Sequence, residues 1–150
     1  MKLATALSER ASLQVRLSEL QIRLNANAKV QEGDSPAENP VELIAEKDRI
    51  LDELENLVTR INLTNSRTEC NGITITELIS RRDRIKKDVR IMRNFLNIAS
   101  EKVNRYTKTE IVIKSTVDIN EYQKNLDTLS RELRQIDEKI QELNWTTELI

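Results

Sequence analysis

Leu78, Arg82, Ile85, Val89, Met92, Leu96, Ala99 and Val103 follow one another at alternating steps of four and three residues, without a slip. No other feature of the chain constrains its fold as tightly. At about 3.6 residues per turn, this spacing draws one apolar stripe along a helix, and such a stripe must be buried against a partner. A helix over 77–105 would be on the order of 40 Å long. Tyr122, Leu126, Leu129, Leu133, Ile136, Ile140 and Leu143 repeat the pattern and predict a second helix over 119–143.

Two further helices are expected near 3–31 and 40–64. In the first, Leu3, Ala6, Leu13, Leu17, Leu20 and Leu24 keep the seam. In the second, Leu51, Leu54, Val58 and Ile61 form one stripe, and Leu43, Ile50 and Leu57 widen it. The stretch EGDSPAENP, residues 32–40, has no helical period and separates the two. Asn39, Pro40 and Glu42 then suit a helix start: a side-chain acceptor, a residue with no amide to satisfy, and a carboxylate in the first turn.

Two stretches break the pattern. Asn71-Gly72 favours a type I′ turn beside the β-branched run Ile73 to Thr76. Thr74 with Glu77, and Asp118 with Glu121, have capping-box spacing; Thr76 rivals Thr74. From Glu110 to Val117 the apolar period is two, which predicts a strand carrying Ile111 and Ile113 on one face. Its partner would be the 68–75 region or a second copy. The fold expected for residues 1–150 is one all-α domain of four long antiparallel helices, a coiled-coil bundle or extended αα-hairpins, with a small β element near 68–75 and 110–117.

Residues 77–105 hold nine Lys or Arg against four Asp or Glu, while 32–57 hold nine Asp or Glu against two Lys or Arg. An antiparallel hairpin would lay these segments side by side, so RRDRIKKDVRIMR (81–93) is expected to pair with acidic protein. Membranes are not expected partners, and nucleic-acid binding through the basic helix 81–93 is an alternative reading only: the net charge is −1 and no aromatic residue interleaves the arginines. Arg82, Arg10 and Lys47 fall at seam positions, where an isolated polar residue fixes register or oligomeric state.

The 150-residue chain has no histidine, only Gly33 and Gly72 as glycines, and Cys70 as its one cysteine. A Ser-His or Cys-His nucleophile and a glycine-rich phosphate loop are therefore excluded. No metal, cofactor, small-molecule substrate or enzymatic activity is expected. No stretch reaches the roughly 18 apolar residues of a membrane helix. The first residues do not form an export signal, since Glu9 and Arg10 interrupt them, and a cytoplasmic location is expected. The overlapping stripes and the unpaired strand predict self-association. Arg82, Ile85, Val89, Met92, Ile111, Ile113 and Trp145 are the candidate packing or subunit-interface residues.

The start MKLATALSER, the blocks LNANAKVQEG, RINLTN, TELISRRD and RYTKTEIVIKSTVDI, and the tail IQELNWTTELI resemble a known family, in order and over essentially the whole chain. It is a family of small uncharacterised bacterial coiled-coil proteins, some of which carry the label septicolysin. The resemblance implies a long-helix bundle assembled as a homo-oligomer, such as a hexamer. The label implies a pore-forming cytolysin. No catalytic residue carries over.

Overall fold

The computed structural model describes residues 1–101 and 112–150. Four helices, α1 (Leu3–Ala26), α2 (Pro40–Arg67), α3 (Ile75–Ser100) and α4 (Ile119–Thr146), account for most of them. A two-stranded antiparallel sheet of β1 (Glu69–Cys70) and β2 (Ile73–Thr74) lies between α2 and α3 in sequence. The fold is all-α with a small β element. The chain groups into two compact units, Met1–Ile75 with Glu142–Ile150, and Thr76–Gln141.

In the first unit α1 and α2 pack antiparallel: Arg16 pairs with Glu46 at 3.4 Å, and Arg23, two turns further on, pairs with Glu38. Leu3, Ala6, Leu13 and Leu20 are buried on α1, and Leu43, Ile50, Leu57, Ile61 and Thr64 on α2. Each fully buried Leu or Ile contributes about 1.5–3 kcal/mol of transfer free energy. The seam of α2 therefore runs through the residues expected only to widen it. Leu51, expected on the main stripe, is 42% exposed. Leu54 and Ile61 belong to both stripes; packing against α1 selects the one that carries Leu43, Ile50 and Leu57, and Arg16–Glu46 lies on its flank.

Asn27 ends α1 five residues before the expected end at Gln31. Its Nδ2 donates to the Arg23 carbonyl at 2.9 Å, and its Oδ1 accepts from the Glu38 amide at 2.9 Å. An Asn side chain that bonds backbone in this way competes with the helix ladder. Here it also fastens the far end of the linker. Asn39 caps α2, accepting from the Val41 amide at 3.0 Å, with Pro40 as the first helical residue.

At the other end of this unit the tail folds onto α2. The Leu3 amide donates to the Thr147 carbonyl at 2.9 Å, and the Leu149 amide to the Met1 carbonyl at 2.8 Å. The Ile150 amide donates to Thr64 Oγ1 at 3.0 Å, and Arg60 Nε to the Ile150 oxygen at 2.8 Å. Thr64 is fully buried, and its hydroxyl also donates to the Arg60 carbonyl at 2.8 Å. One buried hydroxyl thus bonds two backbone groups at once.

The hairpin forms where expected. Asn71 (φ 54°) and Gly72 (φ 76°) are both left-handed, as a type I′ turn requires, and Cys70 stands opposite Ile73. α3 starts at Ile75, which makes Thr74 its N-cap residue and puts Thr76 inside the helix. Ile75 is fully buried.

In the second unit Leu78, Ile85, Val89 and Leu96 of α3 and Leu126, Ile136 and Ile140 of α4 are buried, on the expected seams. Asp118 caps α4, its Oδ1 accepting from the Asn120 and Glu121 amides at 3.0 and 3.2 Å. The expected end of α3 at Arg105, with Val103, lies outside the described residues. So do Glu110 and Ile111 of the expected strand. From Val112 to Val117 no strand forms: Ser115 Oγ instead donates to the Val117 carbonyl at 3.0 Å, a local bond that replaces a ladder. β1 and β2 pair with each other.

The acidic and basic segments find other partners than expected. Glu38 and Glu46 pair with α1, while Arg81 donates to Glu132 of α4 at 3.1 Å and Arg82 pairs with Asp83 at 2.8 Å.

Ile85→Ala is expected to cost about 2–5 kcal/mol in urea unfolding, because it opens a cavity in the seam. Ile91→Ala, on an exposed face of the same helix, should stay within about 0.5 kcal/mol. Two carboxyls carry a pH signature. The hydrogen bond from Arg23 holds Glu38 below the usual carboxylate range, and those from Lys2 and the Met1 amino group do the same for Glu148. A pKa lowered by folding adds stability that is present above the unfolded value of about 4.3 and is lost as pH falls through the folded value. Between pH 6 and pH 3, the melting midpoint should fall less for Glu38→Gln/Glu148→Gln than for the wild type; equal slopes would deny both pairs a role.

Candidate functional site

Where α3 and α4 run side by side, their seam residues meet and their flanking residues form the walls of a groove. Leu78 and Arg81 lie with Gln135, Ile136 and Lys139, whereas Lys86 to Asn97 lie with Asp127 to Arg134, so the helices are antiparallel. The second stretch encloses a groove of about 810 Å³. Val89 and Leu133 supply its apolar lining, with Lys86, Arg90 and Arg93 from α3 and Arg131 and Arg134 from α4. Asn94, Asn97, Ser130 and Asp127 complete the lining.

Helical spacing explains the convergence. Lys86, Arg90 and Arg93 are separated by four and three residues, so they share one side of α3. Arg131 and Arg134 do the same on α4. Five cations thus line the groove against one carboxylate, and that carboxylate accepts from Gln123 Nε2 at 3.1 Å. Among the described residues none of the five makes an ion pair, in contrast to Arg16, Arg23, Arg81 and Arg82. Such a cleft focuses positive potential. Its chemistry is that of binding an anion: its cationic donors outnumber its single carboxylate five to one.

The residues singled out from sequence divide three ways. Ile85 and Val89 are buried, and Met92 is half-buried, in the seam beneath the groove. Arg82 sits at its expected seam position, bonded to Asp83, with its Nε 4.0 Å from Asp137 Oδ1. Ile113 and Trp145 are each 66% exposed, so Trp145 does not bury itself against a helix of its own chain. Ile111 lies outside the described residues. Arg10 and Lys47 both lie on the α1–α2 seam; Arg10 Nε is buried without a hydrogen-bond partner, and Lys47 pairs with Asp48 at 2.6 Å.

Arg131 and Arg134 lie outside the basic stretch 81–93 that stands out in the sequence. The signal was present: Arg131 and Arg134 lie three residues apart on one side of α4, in the stretch that the antiparallel α3–α4 pair lays beside 86–97. Among the described residues there is no group of three His, Cys, Asp or Glu that could hold a metal, and no helix long and apolar enough to cross a membrane.

The model of the Family of unknown function (DUF6847) matches residues 10–149, and the chain belongs to that family. The chain is also similar to the crystal structure of a functionally unknown conserved protein from Corynebacterium diphtheriae, at 42% sequence identity and a TM-score of 0.91, over 100% of this chain and 99% of that one. No curated protein matches it.

Unpaired like charges facing each other across a groove repel. Arg93→Gln/Arg134→Gln is therefore expected to melt higher than the wild type at 10 mM salt and identically at 1 M, where the screening length is about 3 Å. A difference that persists at 1 M would mean that these side chains pack and do not repel.

Proposed function

We propose that the chain is a non-enzymatic structural protein that works by assembling with copies of itself. The observation that carries this reading is the asymmetry of the α1–α2 hairpin. One flank is closed by the ion pairs Arg16–Glu46 and Arg23–Glu38. The other presents Ile44, Leu51 and Val58 on α2, seven residues apart, beside Leu7, Gln14 and Gln21 at the same spacing on α1. None of these six is charged, and Ile44 and Leu51 are 46% and 42% exposed. Seven-residue spacing is what a further helix needs in order to pack alongside.

Charge favours a second copy as the occupant. The unit Met1–Ile75 with Glu142–Ile150 contains nine Lys or Arg and fourteen Asp or Glu, a net of −5; Thr76–Gln141 contains fifteen and eleven, a net of +4. Unlike units of two copies attract, which steers encounter and register more than it adds affinity. Exposed Ile91, Phe95 and Ile98, at steps of four and three on α3, and Trp145 on α4 offer further apolar surface.

Sedimentation equilibrium tests the reading. The wild type should sediment as a multiple of 17.4 kDa. Ile44→Glu/Leu51→Glu should sediment as a single chain of unchanged helicity. A wild type that stays at one chain at 100 micromolar, or a double variant that keeps the wild-type mass, would refute it. The cytolysin reading implied by the septicolysin label makes the opposite demand of a membrane. Under the scaffold reading, purified protein leaves dye-loaded liposomes intact; release of dye would favour the pore-former.

A further inference from the structure

We infer that the groove between α3 and α4 is a binding site for a small ligand carrying two or more phosphate groups. Self-association is not needed for this inference; it stands on the groove alone. Three observations lead to it.

The first is charge without partners. Lys86, Arg90, Arg93, Arg131 and Arg134 line one cleft and make no ion pair among the described residues, while its one carboxylate is engaged by Gln123. Several guanidinium groups on facing walls offer forked donors to more than one phosphate at once. The second is size. At about 810 Å³ the groove falls within the range of small-ligand sites, roughly 300–1,000 Å³. From Lys86 to Asn97 its α3 wall runs about 16 Å at the helical rise of 1.5 Å per residue. That length suits a compact polyphosphate and is short for a nucleic-acid track.

The third is what the lining lacks. It contains no aromatic side chain, so nothing in it stacks on a base. The remaining basic residues of 81–93 do not extend the groove either. Arg81 and Arg82 are held by Glu132 and Asp83, and Arg84 and Lys87 are not in its lining. The ligand is therefore read by its phosphates, with Asn94, Asn97 and Ser130 as neutral hydrogen-bonding groups around them.

Isothermal titration of the full chain at 0.15 M salt tests the site, with inorganic phosphate, tripolyphosphate and inositol hexakisphosphate as probes. Tripolyphosphate or inositol hexakisphosphate should bind in the micromolar range, at least tenfold more tightly than phosphate. Arg93→Gln/Arg134→Gln should weaken that binding at least tenfold with unchanged helicity. Arg84→Gln/Lys87→Gln, which removes the same charge from outside the groove, should bind as the wild type does. Equal losses in the two double variants would reduce the effect to net charge and overturn the site. So would the absence of binding to 5 mM. A 20-base-pair duplex that binds more tightly than tripolyphosphate, and loses affinity in the groove variant, would assign the groove to nucleic acid instead.

Discussion

Everything in this chain depends on aliphatic side chains repeating at steps of three and four, which forces each helix to lay one stripe against a neighbour. With few aromatic residues, the interior is built from Leu, Ile and Val, and two helices side by side can hide only one face each. The consequences run in two directions. Inside each hairpin the stripe is covered: Leu20 and Ile61 in one unit, and Ile85 in the other, are almost fully shielded from water. Outside it, whatever the sequence places on the flanks stays on the surface. The character of the exposed surface is therefore set by the flanks, one apolar on the α1–α2 hairpin and one cationic between α3 and α4.

Polar residues at the seams and helix ends turn this general pattern into one register. Thr64 lets the tail settle on α2 because its hydroxyl serves two backbone groups at once. Asn27 stops α1 and holds the linker by the Glu38 amide, and Glu38 in turn holds Arg23. Arg82 keeps its charge at the edge of the α3 stripe by reaching Asp83. These bonds are individually worth about 1 kcal/mol. They select among registers that the aliphatic stripes alone would leave nearly equivalent.

The long-range content of the fold was legible wherever one stripe stood alone. The stripes of α3 and α4 appear in the sequence as they appear in space, except that Tyr122 at the start of α4 is 38% exposed and Val103 lies outside the described residues, and the Asn71-Gly72 turn and the Asp118 and Asn39 caps followed from local chemistry. What the sequence left open required knowing a neighbour. On α2 two stripes share Leu54 and Ile61, and only packing against α1 decides between them. The basic stretch at 81–93 suggested the acidic helix before it as partner. In the folded chain Glu38 and Glu46 are taken by Arg23 and Arg16, and Arg82 and Arg81 by Asp83 and Glu132. The groove was illegible for the same reason: Arg131 and Arg134 come from α4, some forty residues further along the chain than the cations they face.

The central claim is that each stripe faces inward within its own hairpin, and cysteine accessibility tests it most directly. In a Cys70→Ser background, single substitutions compare neighbours two residues apart on one helix: Ile85→Cys with Lys87→Cys, and Ile136→Cys with Glu138→Cys. Native protein exposed to a maleimide should label the Lys87 and Glu138 positions at the rate of a free thiol, and the Ile85 and Ile136 positions at least a hundredfold more slowly. Comparable rates within each pair would show that the stripes are open to water and that the helices are not held together in this way.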